Sequence, residues 1–247
     1  MASTKADALA QELETLRPEL LGYLRRMVVR TALAEDLLQS TAERALGSLG
    51  SVPEDRPGAR RWLFRIATNL ALDALRSEKR WSTTMLADVE AEAKSSPWFR
   101  VEVQSLGGDP QMATMAREHL AICLGCTLRA MNANEAAALL LREVYGFSLE
   151  ESAEVLEVRV TQVKNWLQQA RATLRKRYAE TCALVSQTGA CHQCEQLSRI
   201  LTGTAEDPLA GTDRSLDARL VVISKRRRQR AGPWTSVFDR LVRDVVG

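Results

Sequence analysis

The chain has 247 residues, 45% of them hydrophobic and 26% charged, with a net charge of only +3. That is enough apolar material for one large or two small domains, and no run of about eighteen apolar residues offers a membrane span. Two histidines, and no Gly-rich phosphate loop, nucleophile elbow or HExxH, leave little from which to build an enzyme site, so a non-enzymatic protein is expected.

The N-terminal stretch MASTKADALAQELETL lacks the basic-then-apolar layout of a signal peptide, which makes the cytoplasm the expected location. The five cysteines should then be reduced thiols, metal ligands or redox groups rather than a disulfide framework. Residues 7 to 46 read as helix: Leu16, Leu20, Leu24, Met27 and Val28 recur at helical spacing, and a second pattern runs through Leu33, Leu37, Leu38, Ala42 and Leu46. The polar face of that second pattern holds Glu35, Asp36, Gln39 and Glu43. Two Pro and three Gly punctuate a loop from Gly47 to Gly58. Next comes ARRWLFRIATNLALDALRSEKR, a helix with Trp62, Ile66, Leu70 and Ala74 on one side, flanked by Arg60, Arg61, Arg65, Arg76, Lys79 and Arg80. Residues 82 to 110 carry little pattern, several Ser, Pro and Gly, and mostly acidic charge, and read as an interdomain linker. Its Trp98-Phe99 pair either anchors it on protein or is simply exposed.

In MAREHLAICLGCTLRAM, His119, Cys123 and Cys126 fall at i, i+4 and i+7, within about 60° of arc on a helix, so three zinc-competent side chains share one face. From Ser148 to Tyr178 two short helical patterns meet at a tight corner. Ser148 and Glu151 form a capping-box signature before the first. That helix should bury Leu149, Ala153 and Leu156 and expose Glu150, Glu151 and Glu154; the second should bury Val163, Leu167, Ala170 and Leu174. Between Arg159 and Arg177 stand six Lys or Arg and no Asp or Glu. An acidic helix followed by a basic one at a short corner points to a helix-turn-helix whose second helix meets nucleic acid, against the plainer alternative of solvated bundle helices. The corner is Glu157-Val158, where a glycine would be usual for a left-handed turn.

Beyond it, Cys182, Cys191, His192 and Cys194 add further ligand types. Residues 213 to 230 are helix-compatible and end in five basic residues among six positions. A final pattern places Val237, Phe238, Leu241, Val242, Val245 and Val246 on one apolar face that wants a surface to cover, in this chain or in a partner.

The pair AEDLLQSTAERA (34–45) and WLFRIATNLALDALR (62–76) resembles the core-binding and promoter-melting region of bacterial extracytoplasmic-function sigma factors, and residues 139–178 are similar to their C-terminal DNA-binding region. The blocks stand in the family's order, and the resemblance covers roughly residues 10 to 180. It implies an all-α fold of two small helical domains joined by a linker, plus a partly helical C-terminal extension: 1–81, 82–110, 111–181 and 182–247. It also implies core RNA polymerase and promoter DNA as partners, with an anti-sigma factor as a further candidate.

Residue by residue, Asp36, Gln39 and Glu43 match the polymerase-facing stripe, while Leu33 stands where the family often has Asp, altering that contact. Asn69 matches the asparagine that touches the unstacked promoter strand, since an amide can pair with a base edge. Arg65 and Arg76 lie on the same helix, and loop 47–58 sits where the family captures a flipped base. On the basic helix, Arg159, Thr161, Gln162, Lys164, Asn165, Gln168 and Arg171 lie away from the apolar stripe. Those near its start are expected to reach bases, with Lys164 and Arg171 equally suited to phosphates. Trp166 is expected to pack on the neighbouring helix rather than stack on DNA. The His-x3-Cys-x2-Cys spacing resembles that of zinc-binding anti-sigma domains. His119, Cys123, Cys126, Cys182, Cys191, His192 and Cys194 are therefore candidate metal ligands, zinc preferred on ligand type, or thiol redox groups. They would tie the tail to the DNA-binding domain. The alternative from another class is a stand-alone metal- or redox-responsive helix-turn-helix regulator, which would have no use for the 34–76 block.

Overall fold

The computed structural model describes residues 2–77, 85–105, 122–129, 131–181, 216–225, 227 and 233–246. Their regular structure is helical throughout, and no described helix is long and apolar enough to cross a membrane. Helix α1 (Ala2–Val28) and α2 (Thr31–Leu46) are separated by a sharp corner, where the continuous reading of residues 7–46 breaks. Val29 sits at φ 65°, a left-handed conformation that costs a β-branched residue on the order of 1–3 kcal/mol. Its side chain is buried in an apolar cluster, which offsets that strain. A short 3-10 turn (Leu49–Ser51) leads to α3 (Arg56–Ser77). Leu63, Phe64, Ala67, Thr68 and Ala71 are its most deeply buried side chains; Trp62 and Leu70 are buried as spacing suggested, but Ile66 and Ala74 are only half-buried, so the buried face is wider than the expected stripe and shifted from it.

The acidic linker stretch is not featureless: it contains α4 (Met85–Ser95) and α5 (Pro97–Ser105). Their apolar side chains find partners only in the tertiary structure. Val89, Ala93, Trp98 and Phe99 join Val29 of the α1–α2 corner and Ile122 and Cys126 of α6 (residues 122–129). The last helix, α11 (Pro233–Val246), covers this group with Phe238, Leu241, Val242 and Val245. Its apolar face therefore finds its surface within the chain. Arg240 lies 3.9 Å from the centroid of the Trp98 ring, a cation–π contact that anchors α5. Asp239 on the same helix is half-buried; burial raises its carboxyl above the ordinary range, opposed by Thr31 and Arg25.

The second half is built on α7 (Ala133–Leu139), which begins at Asn132, whose side chain accepts from the backbone N–H of Asn134. It continues as one wide π-type turn (Leu140–Val144), after which Gly146 takes φ 73°. That turn directs Tyr145 and Phe147, both fully buried, toward the first three helices. Helices α8 (Leu149–Leu156) and α9 (Val160–Thr181) follow, and α10 (Leu216–Ser224) packs Leu216, Leu220 and Ile223 into the same cluster.

The two helical modules share one continuous core. Phe64 and Phe147 meet edge-on at 4.9 Å between centroids, Tyr23 and Tyr145 at 5.4 Å, each pair spanning the seam. Such pairs contribute about 0.5–1.5 kcal/mol beyond area burial. Burial pushes the Tyr145 phenol up to about 12, Arg26 opposing, so the seam adds no phenolate charge at neutral pH. Arg26 Nη1 donates to the Tyr145 hydroxyl at 2.9 Å. At the centre lies Glu19 of α1, 1% exposed, paired with Arg60 of α3 at 3.0 Å and with Arg227 of the C-terminal extension at 3.1 Å. Gly22, one turn on, admits the extension's backbone: a Cβ there would stand 2.7 Å from the Arg227 carbonyl oxygen.

Glu19→Gln keeps the side chain's size and removes the charge that two guanidiniums share. The expected loss of stability is on the order of 2–3 kcal/mol, below the 3–5 kcal/mol of a fully buried pair because both arginines are partly solvated. Urea unfolding should show a lower midpoint at unchanged m.

Candidate nucleic-acid interface

Two surfaces carry the chemistry. The first is one face of α3, where Arg61, Arg65 and Asn69 follow at i, i+4 and i+8 and so line up along the helix. Beside it lies a cavity of about 220 Å³ lined by Ser51, Pro53, Asp55, Gly58, Arg61, Trp62, Arg65 and Glu154. It has room for a single planar nucleobase and two guanidiniums at its wall. Its floor is a tight turn in which the Gly58 backbone N–H donates to Asp55 Oδ1 at 2.7 Å. Gly58 is required there, since a Cβ would meet Asp55 Oδ2 at 2.6 Å and the Pro53 side chain at 2.9 Å. Trp62 is buried, as its helical spacing implies, yet its side chain also forms part of the cavity wall. Arg76, one to two turns beyond Asn69, is exposed and pairs with Asp73.

The second surface is the helix-turn-helix. Ser148 and Glu151 make the full reciprocal capping box, with bonds of 3.0 and 2.8 Å. Glu157 occupies the left-handed corner at φ 55°, ψ 41°, and Val158 N–H closes the turn on the Ala153 carbonyl at 3.0 Å. The conformation expected of glycine is thus present without the glycine, at a cost on the order of 1–2 kcal/mol. On α9, Val163, Leu167, Ala170 and Leu174 are buried, while Thr161, Gln162, Lys164, Asn165 and Gln168, and Arg159 just before the helix, are all exposed. Trp166 is half-buried and packs on the core. Arg171 is half-buried and paired with Glu143 of the preceding turn.

Asp36, Gln39 and Glu43 are exposed on α2, and Gln39 donates to Glu43 at 2.9 Å. The candidate metal ligands are not brought together among the described residues, where no group of three or more His, Cys, Asp or Glu converges as a metal site. Cys123 is half-buried against the main core, and Cys126, 4% exposed, lies in the cluster under α11. His119, Cys182, Cys191, His192 and Cys194 fall outside the described residues.

The two surfaces are not independent. Glu151, Glu154 and Glu157, on and just beyond α8, lie along the polar face of α3. Arg61 pairs with Glu151 at 3.3 Å and with Glu154 at 2.7 Å. Arg65 lies 3.9 Å from Glu157, and Asn69 Nδ2 donates to Glu157 Oε2 at 3.1 Å. Of the three glutamates expected to be exposed, Glu150 and Glu154 are, but Glu151 is half-buried by this pairing.

Residues 13–81 match the model of Sigma-70 region 2, and residues 121–174 match that of Sigma-70, region 4. RNA polymerase sigma factor CarQ of Myxococcus xanthus is 35% identical over 136 residues, 54% of this chain and 68% of that protein. The chain belongs to the sigma-70 family of RNA polymerase sigma factors. It is of the extracytoplasmic-function type: ECF RNA polymerase sigma factor SigG of Mycobacterium tuberculosis is 31% identical over 172 residues, 66% of this chain and 46% of that protein. The chain thus spans just under half the length of SigG. SigW of Bacillus subtilis is 26% identical over 170 residues, 69% of this chain and 88% of that protein. In this sigma chain, region 2 contains the α3 stripe and all of the cavity lining but Glu154, and region 4 contains the helix-turn-helix.

Sequence reading located the loop but not the cavity: Ser51, Pro53, Asp55 and Gly58 carry no pattern of their own beyond turn punctuation. The Asp-x2-Gly spacing of the turn was the one available signal. Gly58→Ala should displace Asp55 or Pro53 and destabilise the fold by about 1–3 kcal/mol, as overpacking does. Chemical denaturation should register the loss, with faster amide exchange in residues 47–58.

Proposed function

We propose that the chain directs promoter-specific transcription initiation as a sigma factor bound to core RNA polymerase. The observation that carries this is the coexistence, on one chain, of a nucleobase-sized cavity walled by Arg61 and Arg65 and an exposed basic helix-turn-helix face. A simple repressor has use for the second alone. In this reading, Arg61 and Arg65 hold strand phosphates and the Asn69 amide pairs with a base edge of the minus-ten element. The cavity takes a base that has left the stack, offsetting the few kcal/mol that unstacking costs. Arg159, Thr161, Gln162 and Asn165, at the start of α9, read the minus-thirty-five element in the major groove. The exposed Asp36, Gln39 and Glu43 stripe of α2 presents acceptors to a basic polymerase surface. Zinc or thiol control through the cysteines rests on their spacing, and an anti-sigma factor as partner rests on the family's habit.

In-vitro transcription with core polymerase tests the central reading; absence of core binding under reducing, zinc-replete conditions would remove it. Lys164→Ala should weaken promoter binding about equally across sequences and lower the slope of log K against log salt by about 1, as loss of one phosphate contact does. Metal analysis of purified protein, with and without Cys191→Ser and Cys194→Ser, addresses the cysteines. Zinc lost in the double variant supports a site. Metal-free protein whose transcription is indifferent to oxidant removes it.

A further inference from the structure

We infer that the acidic row running along α8 to the corner after it is an internal stand-in for promoter DNA: Glu151, Glu154 and Glu157 occupy the α3 groups that the open strand would otherwise engage. The inference rests on the sigma reading and specifies how its region 2 site is controlled. Three observations carry it. The pairing is complete along the stripe: Arg61, Arg65 and Asn69 each contact at least one of the three carboxylates. The match is geometric as well as electrostatic, since acids spaced by three residues on one element meet cations and an amide spaced by four on another. The base-sized cavity is partly closed by the same element, because Glu154 of region 4 forms part of its lining.

The chain holds this arrangement at a local cost. Glu157 reaches Asn69 and Arg65 from the corner while held in the left-handed conformation that a glycine would adopt without strain. A glycine there would complete the turn equally well and leave Asn69 without this acceptor.

The closed arrangement is also incompatible with both promoter contacts at once. Elements centred about ten and thirty-five base pairs upstream lie roughly 85 Å apart at 3.4 Å per step. A compact chain of this length has a radius of gyration of about 18 Å, or roughly 45 Å across. Regions 2 and 4 must separate to span that distance, and separation withdraws the glutamates from α3 in the same movement. Masking and span are coupled through one seam.

The three carboxylates carry the charge of three phosphates, and single-stranded DNA must displace them to reach Arg61, Arg65 and Asn69. Glu154 and Glu157 remain more than half exposed at the rim of the seam, so substituting them leaves the buried core between the modules in place. The test uses the full chain without polymerase and a fluorescein-labelled single-stranded oligodeoxynucleotide of mixed sequence, read by anisotropy. The double variant Glu154→Gln, Glu157→Gly should bind about tenfold more tightly than the unaltered chain. A control with the same charge change at two exposed α1 acids, Asp7→Asn with Glu14→Gln, should gain less than about twofold. Adding Asn69→Ala to the seam variant should return much of the gain. Equal gains in seam and control variants, or no gain in the seam variant, overturn the inference. Capture of the unaltered chain by core polymerase, run in parallel, reads the sigma assignment separately. Capture without a seam gain sinks the mask alone, and a seam gain without capture overturns the polymerase-bound function and with it the reading of the seam as control of a promoter site.

Discussion

A carboxylate in the middle of an apolar seam sets the terms for the rest of this molecule. Glu19 is almost wholly removed from water and has guanidiniums from two directions, Arg60 from α3 and Arg227 from the C-terminal extension. Taking a carboxylate out of water costs several kcal/mol, and only close, well-formed pairing offsets it. Arg60 satisfies more than Glu19: it donates to the Tyr145 carbonyl at 2.8 Å and stands 4.0 Å from the centroid of the Phe147 ring. One arginine therefore links region 2 to the turn that leads into the helix-turn-helix of region 4, and one carboxylate links both to the tail. An opening of the seam that separates these partners leaves a charge buried or exposes it with its whole apolar surround.

That requirement explains why the outer contacts can be weak. The ion pairs of Arg61 and Arg65 with α8 are partly solvated and contribute about 0–1 kcal/mol each. They do not hold the modules together; the aromatic cluster and Glu19 do. Their consequence is occupancy. With the modules held by the core, carboxylates at the rim sit beside the α3 stripe at an effective concentration that free DNA must overcome. A polymerase surface that binds the two regions at separate places would supply the free energy of opening, since a ligand shifts such an equilibrium only by its differential affinity for the two states.

The extension belongs to the same physics. Helix α10 fills the region 4 side of the core, Arg227 reaches Glu19, and α11 roofs a second cluster made from the α1–α2 corner, the linker helices and α6. Val29 and Glu157, both non-glycine residues at positive φ, mark the two corners where the chain accepts strain to place these elements. For Val29 the apolar cluster offsets the strain; for Glu157 the turn itself demands the left-handed conformation, and the α3 stripe is what its side chain meets there.

Local chemistry was legible from the residues alone. The Ser148–Glu151 box, the α9 apolar stripe and the charge contrast between α8 and α9 each depend on neighbours within about one or two turns, and each appears as spacing predicts, whereas Leu46 of α2 is exposed and Leu149 and Leu156 of α8 are only half-buried. The two family blocks, 34–45 with 62–76 and 139–178, were likewise readable, because sequence similarity needs no coordinates. What the chain's order could not convey was adjacency across long separations. Nothing in the spacing of Arg61 or Asn69 points to Glu154 or Glu157, 93 and 88 positions away. Val89, Trp98 and Phe99 look like linker until α11 supplies the surface they cover, and the cavity exists only because a Gly58 turn and Glu154 converge. Periodicity encodes which face of a helix is apolar; which other helix it meets is decided by the packing of the whole chain, where burial, pairing of a buried charge and strain are balanced together.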